Sequence, residues 1–177
     1  TWQTPFVAPY GYGFNALTAL SISPDFVHDH TLYALSATET YKTDNGGVVF
    51  TKSGGWFAMH QVTHLAFSPA YATDHTVFVA VQSDNVYRSI NGGGQFNPIG
   101  LGDVSALAVS PNYAADQIVA AITSADGQLH WSTNQGNTWT PGTLTIGVGG
   151  QHNLLFSPTF ATDQVLLAAS SNDPGAY

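Results

Sequence analysis

Ser68-Pro69-Ala70-Tyr71-Ala72-Thr73-Asp74 stands between two apolar, β-prone runs, Val62-Thr63-His64-Leu65-Ala66-Phe67 before it and Thr76-Val77-Phe78-Val79-Ala80-Val81 after it. Pro69 has no N–H for a sheet ladder and holds Ser68 extended, so the first run ends there. The same frame, Ser-Pro-x-aromatic-x-x-Asp, recurs as Ser23-Pro24-x-Phe26-x-x-Asp29, Ser110-Pro111-x-Tyr113-x-x-Asp116 and Ser157-Pro158-x-Phe160-x-x-Asp163. The four prolines are 45, 42 and 47 residues apart. That period is the length of a four-stranded propeller blade rather than of a helical repeat.

Outward from the second copy, Asn85-Val86-Tyr87-Arg88-Ser89 gives a third strand, and Gln95-Phe96-Asn97-Pro98-Ile99 a fourth beyond a Gly-rich turn. The third copy repeats the order with Val104 to Ser110, Gln117 to Ile122, Gly127 to Ser132 and Thr138 to Pro141. The first offers Leu17 to Ser23, Thr31 to Leu35 and Thr40 to Thr43, and the fourth Asn153 to Ser157 and Val165 to Ala169. No helix-period segment of useful length interrupts them. The fold class read here is all-β, a propeller of four-stranded antiparallel blades, about four of them, whole or part of a larger ring. One unit over 1–177 is expected, with a partial blade at 1–14, blades at about 15–60, 61–102 and 103–150, and a partial blade at 151–177. Thr1-Trp2-Gln3-Thr4-Pro5 is similar to Thr138-Trp139-Thr140-Pro141 and reads as an outer strand. The sequence starts without Met, as expected of a processed form, an expressed piece or part of a longer polypeptide.

Only 8% of residues are charged, against roughly 25% in ordinary globular domains. The surface must therefore be covered by Ser, Thr, Asn, Gln and Gly, a habit commoner outside the cytosol. Lys42, Lys52 and Arg88 face eleven acidic residues, for a formal charge of −8. So few cations cannot neutralise a run of phosphates, which argues against nucleic acid and against an anionic membrane surface. No apolar run is long enough to insert into a bilayer. With no cysteine there is neither a disulfide framework nor a thiolate metal site.

Between its third and fourth strands the third copy reads Ser132-Thr133-Asn134-Gln135-Gly136-Asn137-Thr138-Trp139. Ser89-Ile90-Asn91-Gly92-Gly93-Gly94-Gln95-Phe96 is a looser version, and Thr43-Asp44-Asn45-Gly46-Gly47 a looser one still, with Asp44 taken as its acid. An Asx side chain accepts hydrogen bonds from its own loop, Gly takes the positive φ, and the aromatic plugs between sheets. On these turns and the Ser-Pro/Asp frame, the chain resembles the Asp-box (BNR/sortilin-like) β-propellers. That group includes sialidases, sortilin-type receptor domains, xyloglucan-cleaving glycosidases and photosystem II assembly factors. The resemblance covers nearly the whole chain and implies a structural role for the turn residues, away from any active face.

Sialidase chemistry in that group needs three arginines, and Arg88 is the only one present. A glycosidase needs two facing carboxyls. Asp29, Asp74, Asp116 and Asp163 are repeat positions with a structural reading, and Asp84 and Asp126 fall in hairpin turns. Asp25, Glu39, Asp103 and Asp173 are left as uncommitted acids. His28 and His30 could share a metal only if their segment were a strand, and His30 and His75 give way to Gln117 and Gln164 in the other copies. His60, His64, His130 and His152 show no ligand spacing, and no cofactor or metal is expected. Tyr10, Tyr12 and Phe14, with Trp56, lie outside the repeat and are the candidate ligand-binding aromatics. The expected function is a non-enzymatic scaffold for protein or glycan, extracellular, at the cell surface or periplasmic. An extracellular glycoside hydrolase and a subunit that self-assembles through an incomplete terminal blade are the alternatives.

Overall fold

The computed structural model of the chain describes residues 17–149 and 152–172. Sheet 1 holds β1 (Leu17–Ile22), β2 (Leu32–Ser36), β3 (Thr40–Thr43) and β4 (Thr51–Lys52). Sheet 2 holds β5 (Val62–Phe67), β6 (Val77–Val81), β7 (Val86–Ser89) and β8 (Asn97–Pro98), and sheet 3 holds β9 (Val104–Val109), β10 (Val119–Thr123), β11 (Gln128–Ser132) and β12 (Thr140–Thr145). In each of these the strands pair antiparallel in chain order, and β13 (His152–Phe156) pairs with β14 (Leu166–Ser170) as sheet 4. The first strands of successive sheets, β1, β5, β9 and β13, are spatial neighbours. The sheets therefore stack radially with their first strands innermost, a β-propeller of about four blades.

Second strands carry the core. All five residues of β6 and the first four of β10 are buried, which is why these runs are apolar without alternation. Between sheets 1 and 2 the buried side chains are Tyr33, Phe57, Phe67 and Phe96; between sheets 2 and 3 they are Phe78, Tyr113 and Val119. Burial pushes the Tyr113 phenol up to about 12, as expected of a dry gap.

Each Ser-Pro frame adds a helical element that the strand reading of the sequence did not include. The residues from the aromatic to the Asp form one helical turn: α1 (Phe26–Asp29), α2 (Tyr71–Asp74), α3 (Tyr113–Asp116) and α4 (Phe160–Asp163). Four residues are too few to show a helical period, so the pattern could not reveal them. Each turn ends at a left-handed residue, His30, His75, Gln117 and Gln164, with φ between 49° and 56°. This conformation is strained for a side chain with a Cβ, and here the surrounding bonds hold it.

Candidate functional site

The antiparallel register gives the blades two distinct ends. Ile22 pairs with Leu32 at the end carrying the Ser-Pro frame, and Leu17 pairs with Ser36 at the other. At the first end, the Ser23 hydroxyl donates to Asp29 Oδ2 (2.6 Å) and accepts from the Asp25 N–H, while Asp29 Oδ1 accepts from the Thr31 N–H (2.8 Å). Ser68 with Asp74, Ser110 with Asp116 and Ser157 with Asp163 form the same clasp. The Ser132 hydroxyl donates to Asn134 Oδ1 (2.8 Å) and accepts from the Gly136 N–H, and Asn134 Oδ1 accepts from the Thr138 N–H (2.9 Å). Ser89, Asn91 and Gly93 repeat that geometry. Gly93 and Gly136 have φ of 91° and 86°, which the turn requires and a Cβ opposes.

In the first copy the Asx of this turn is Asn45, not Asp44. Thr43 Oγ1 donates to Asn45 Oδ1 (2.7 Å) and accepts from the Gly47 N–H, and Asn45 Oδ1 accepts from the Val49 N–H. Asp44 is exposed one residue too early, and Phe50 takes the buried aromatic place. Trp139 donates from Nε1 to the Ile99 carbonyl (3.0 Å) and so ties sheet 3 to sheet 2. These two turns meet where the His75 carbonyl accepts from the Gly92 N–H and the Gln117 carbonyl from the Gln135 N–H. One end of the blades is thus committed to hydrogen bonds within the scaffold.

The opposite end encloses a basin of about 490 Å³ around the axis, between the starts of the first strands and the ends of the second. Sheet 1 contributes Thr18, sheet 2 Gln61, Thr63, His64 and Gln82, sheet 3 Asp103, Ser105 and Ser124, and sheet 4 His152 and Asn153. Thr18, Thr63 and Ser105 each stand at a β-bulge, where the register skips one residue, and each hydroxyl bonds a carbonyl of the adjacent second strand. Bulges re-aim side chains next to sites. In sheet 4 the same position is His152, whose Nε2–H donates to the Gly147 carbonyl (2.6 Å) while Nδ1 is hydrogen-bonded to Ser105 Oγ. Ser105 is thereby held as a brace between blades. His64 bonds Thr63 Oγ1 through Nδ1, and its burial lowers its pKa against the pull of Asp103.

That shift has a definite sign. A histidine harder to protonate when folded leaves stability intact above its unfolded pKa of about 6.5 and removes it as pH falls below that value. His64→Gln is expected to flatten the loss of urea stability between pH 7 and pH 5; profiles parallel to those of the parent protein would refute the assignment.

The remaining candidates are placed as follows. Tyr10, Tyr12, Phe14 and Trp2 lie outside the described residues. Trp56 is no free platform: its ring stacks on His60 (4.0 Å between centroids, 10° between planes), with Phe96 at 4.5 Å and Tyr87 at 5.0 Å. A short 3-10 turn, Gly55–Met59, folds it onto the sheet 1–sheet 2 seam. His28 bonds Asp25 instead of pairing with His30, and among the described residues no group of three or more His, Asp or Glu is placed for a metal. A second hollow, of about 560 Å³, lies between sheets 3 and 4 and is largely apolar, with Trp131, Phe156 and Phe160 on its walls. Trp131 stands where sheet 2 has Arg88, whose guanidinium donates to Gln135. The sequence signal for the basin was the change of Thr or Ser to His152 at a fixed repeat position, which a search for ligand spacing passed over.

No protein-family model and no curated protein matches the sequence. Solved structures do. An ancestral GH74 enzyme superposes with a TM-score of 0.71 at 18% identity, over 92% of this chain and 22% of its own. An auxiliary nutrient binding protein from Bacteroides thetaiotaomicron gives 0.67 at 15% identity, over 90% of this chain and 37% of its own. YCF48 bound to D1 peptide gives 0.57 at 13% identity, over 88% and 48%. At these identities the likeness is one of fold, and the chain spans about a fifth of the GH74 enzyme and just over a third of the nutrient-binding protein. No helix among the described residues is long and apolar enough to cross a membrane.

Proposed function

We propose that this chain is a non-enzymatic binding propeller of the Asp-box type, exported or displayed at a cell surface, that holds a glycan or a protein loop at its axial basin. The observation that carries the reading is the basin's chemistry. Its lining mixes hydroxyl, amide and imidazole groups with the small apolar side chains Ala19, Ala37, Val62 and Val104, and Asp103 is the one carboxylate among the described lining residues. Glycosidic hydrolysis takes two carboxyl groups facing across a cleft. Neutral donors and acceptors on short braced strands suit a hydroxyl-rich or backbone ligand, whose capture loses little ordering entropy. The three clasped turns at the far end fit a scaffold role for Ser89, Asn91, Gly93, Ser132, Asn134, Gly136, Thr138 and Trp139, as the four Ser/Asp clasps do for Asp29, Asp74, Asp116 and Asp163. Tyr10, Tyr12 and Phe14 are retained as proposed stacking residues, because their segment leads into β1, whose Thr18 lines the basin. One propeller unit over 1–177, bladed at about 15–60, 61–102 and 103–150 with partial blades at 1–14 and 151–177, is part of the same proposal. The fold neighbours named as binding a nutrient or a peptide are in keeping with it.

Screening against glycan and peptide arrays tests the reading. A retained ligand with no product is expected, and Asn153→Ala or Tyr12→Ala should weaken binding about tenfold, a loss near 1.4 kcal/mol, with an unchanged melting temperature. Turnover of an oligosaccharide, or binding indifferent to both changes, would sink it.

A further inference from the structure

The blades meet through one contact used three times. The residue just before each Ser-Pro faces back onto the residue four places after the previous repeat Asp: Phe67 onto Tyr33, with ring centroids 6.0 Å apart, then Val109 onto Phe78, then Phe156 onto Ala120. Phe67, Phe156, Tyr33, Phe78 and Ala120 are all buried. Among the described residues the frame leaves one such position without a counterpart in the first sheet and one in the fourth. Ile22, ahead of Ser23-Pro24, is 59% exposed, and Leu167, four places after Asp163, is 50% exposed. Their neighbours match: Leu20 on the leading face and Leu155 on the trailing face are 62% and 65% exposed. Leu20 stands at the position of Leu65, which packs into the sheet 1–sheet 2 core, and Leu155 at that of Ala108, which packs against sheet 4.

We propose that the leading face of sheet 1 docks onto the trailing face of sheet 4 of a second copy of this chain, with Ile22 of each copy against Leu167 of the other. The two faces differ and are complementary, so the contact is head-to-tail, and a head-to-tail contact must either close or run on. Closure at two copies gives about eight blades, the upper end of the usual range for such rings. The interface is continuous with those already present between sheets 1 and 2, 2 and 3, and 3 and 4, and it covers apolar side chains that are exposed in a single copy.

The test uses the full chain and its mass in solution by light scattering or sedimentation. The expected mass is twice the 18.7 kDa of one copy. Ile22→Lys alone and Leu167→Glu alone should each give monomers with an unchanged far-UV spectrum, since both side chains are exposed in a single copy. Mixing the two variants should restore the dimer, because one interface is then native and the other pairs lysine with glutamate. A monomer at the highest soluble concentration overturns the proposal. So do a dimer that both single changes leave intact, a mixture that stays monomeric, and a mass that grows without limit with concentration.

Discussion

Phe78→Ala is expected to destabilise the protein by about 3–5 kcal/mol, the usual range for removing a buried aromatic. The ring is 0% exposed, at the second of the five positions of the second blade's core strand. Its neighbours come from both sides of a seam: Tyr113 stands edge-on at 5.6 Å, and Val119, Leu107, Val109, Ile99 and Trp139 surround the pair. Truncation leaves a hollow that these side chains, each fixed in its own strand, cannot fill by relaxing. Set against a total of about 5–15 kcal/mol for an ordinary domain, the loss is large. It should also change the shape of unfolding. In a stacked repeat array each blade contacts only its neighbours, so weakening one seam uncouples the blades on either side. Urea titration of Phe78→Ala should show a reduced slope or two steps where the parent protein shows one, while Phe78→Leu should cost less than about 1.5 kcal/mol. A single transition moved by less than about 1 kcal/mol would show that this seam does not bind the sheets together.

How much could be read without coordinates follows from how far apart the interacting residues are in the chain. Ser110 reaches an Asp only six positions on, and Ser132 an Asn only two on, so each clasp sits whole within one short window and repeats visibly. Asn45 was missed beside Asp44 because both are Asx residues, although Asn45 follows Thr43 by two places as Asn134 follows Ser132, and the bonds that Asn45 Oδ1 accepts from Thr43 Oγ1 and the Val49 N–H single it out. The basin is the opposite case. Ser105 and His152 bond across 47 positions, a full blade, and no local pattern marks the pair. The setting of Trp56 was hidden for a conformational reason: its 3-10 turn returns the chain so that His60, four residues on, lies flat against the ring. The clasps are thus short-range and legible, whereas the surfaces that meet a ligand or another blade are assembled by the ring.

That division can be tested on the repeat aspartates, where one sequence motif occupies two environments. Asp116 accepts from Ser110 Oγ (2.6 Å) and from the Ile118 N–H (2.9 Å), and Ser110 is fully buried. Asp116→Ala takes the acceptor from the buried Ser110 hydroxyl and from the half-buried Ile118 N–H, where water is a poorer replacement than at an exposed clasp, and is expected to cost about 3 kcal/mol, within the range for losing charge-assisted bonds. Asp116→Asn should cost roughly half as much, because Oδ1 still receives the Ile118 N–H. The new NH2 then meets the Ser110 hydroxyl, whose oxygen already accepts from the Asn112 N–H. Asp163 makes the same bonds to Ser157 and the Val165 N–H, with Thr159 Oγ1 added, yet it lies in the open. Water can take over there, so Asp163→Ala should destabilise distinctly less than Asp116→Ala in the same urea titration. Equal losses at the two sites would mean that burial does not set the strength of the clasp, and the repeat would then have to be explained by local chain geometry alone.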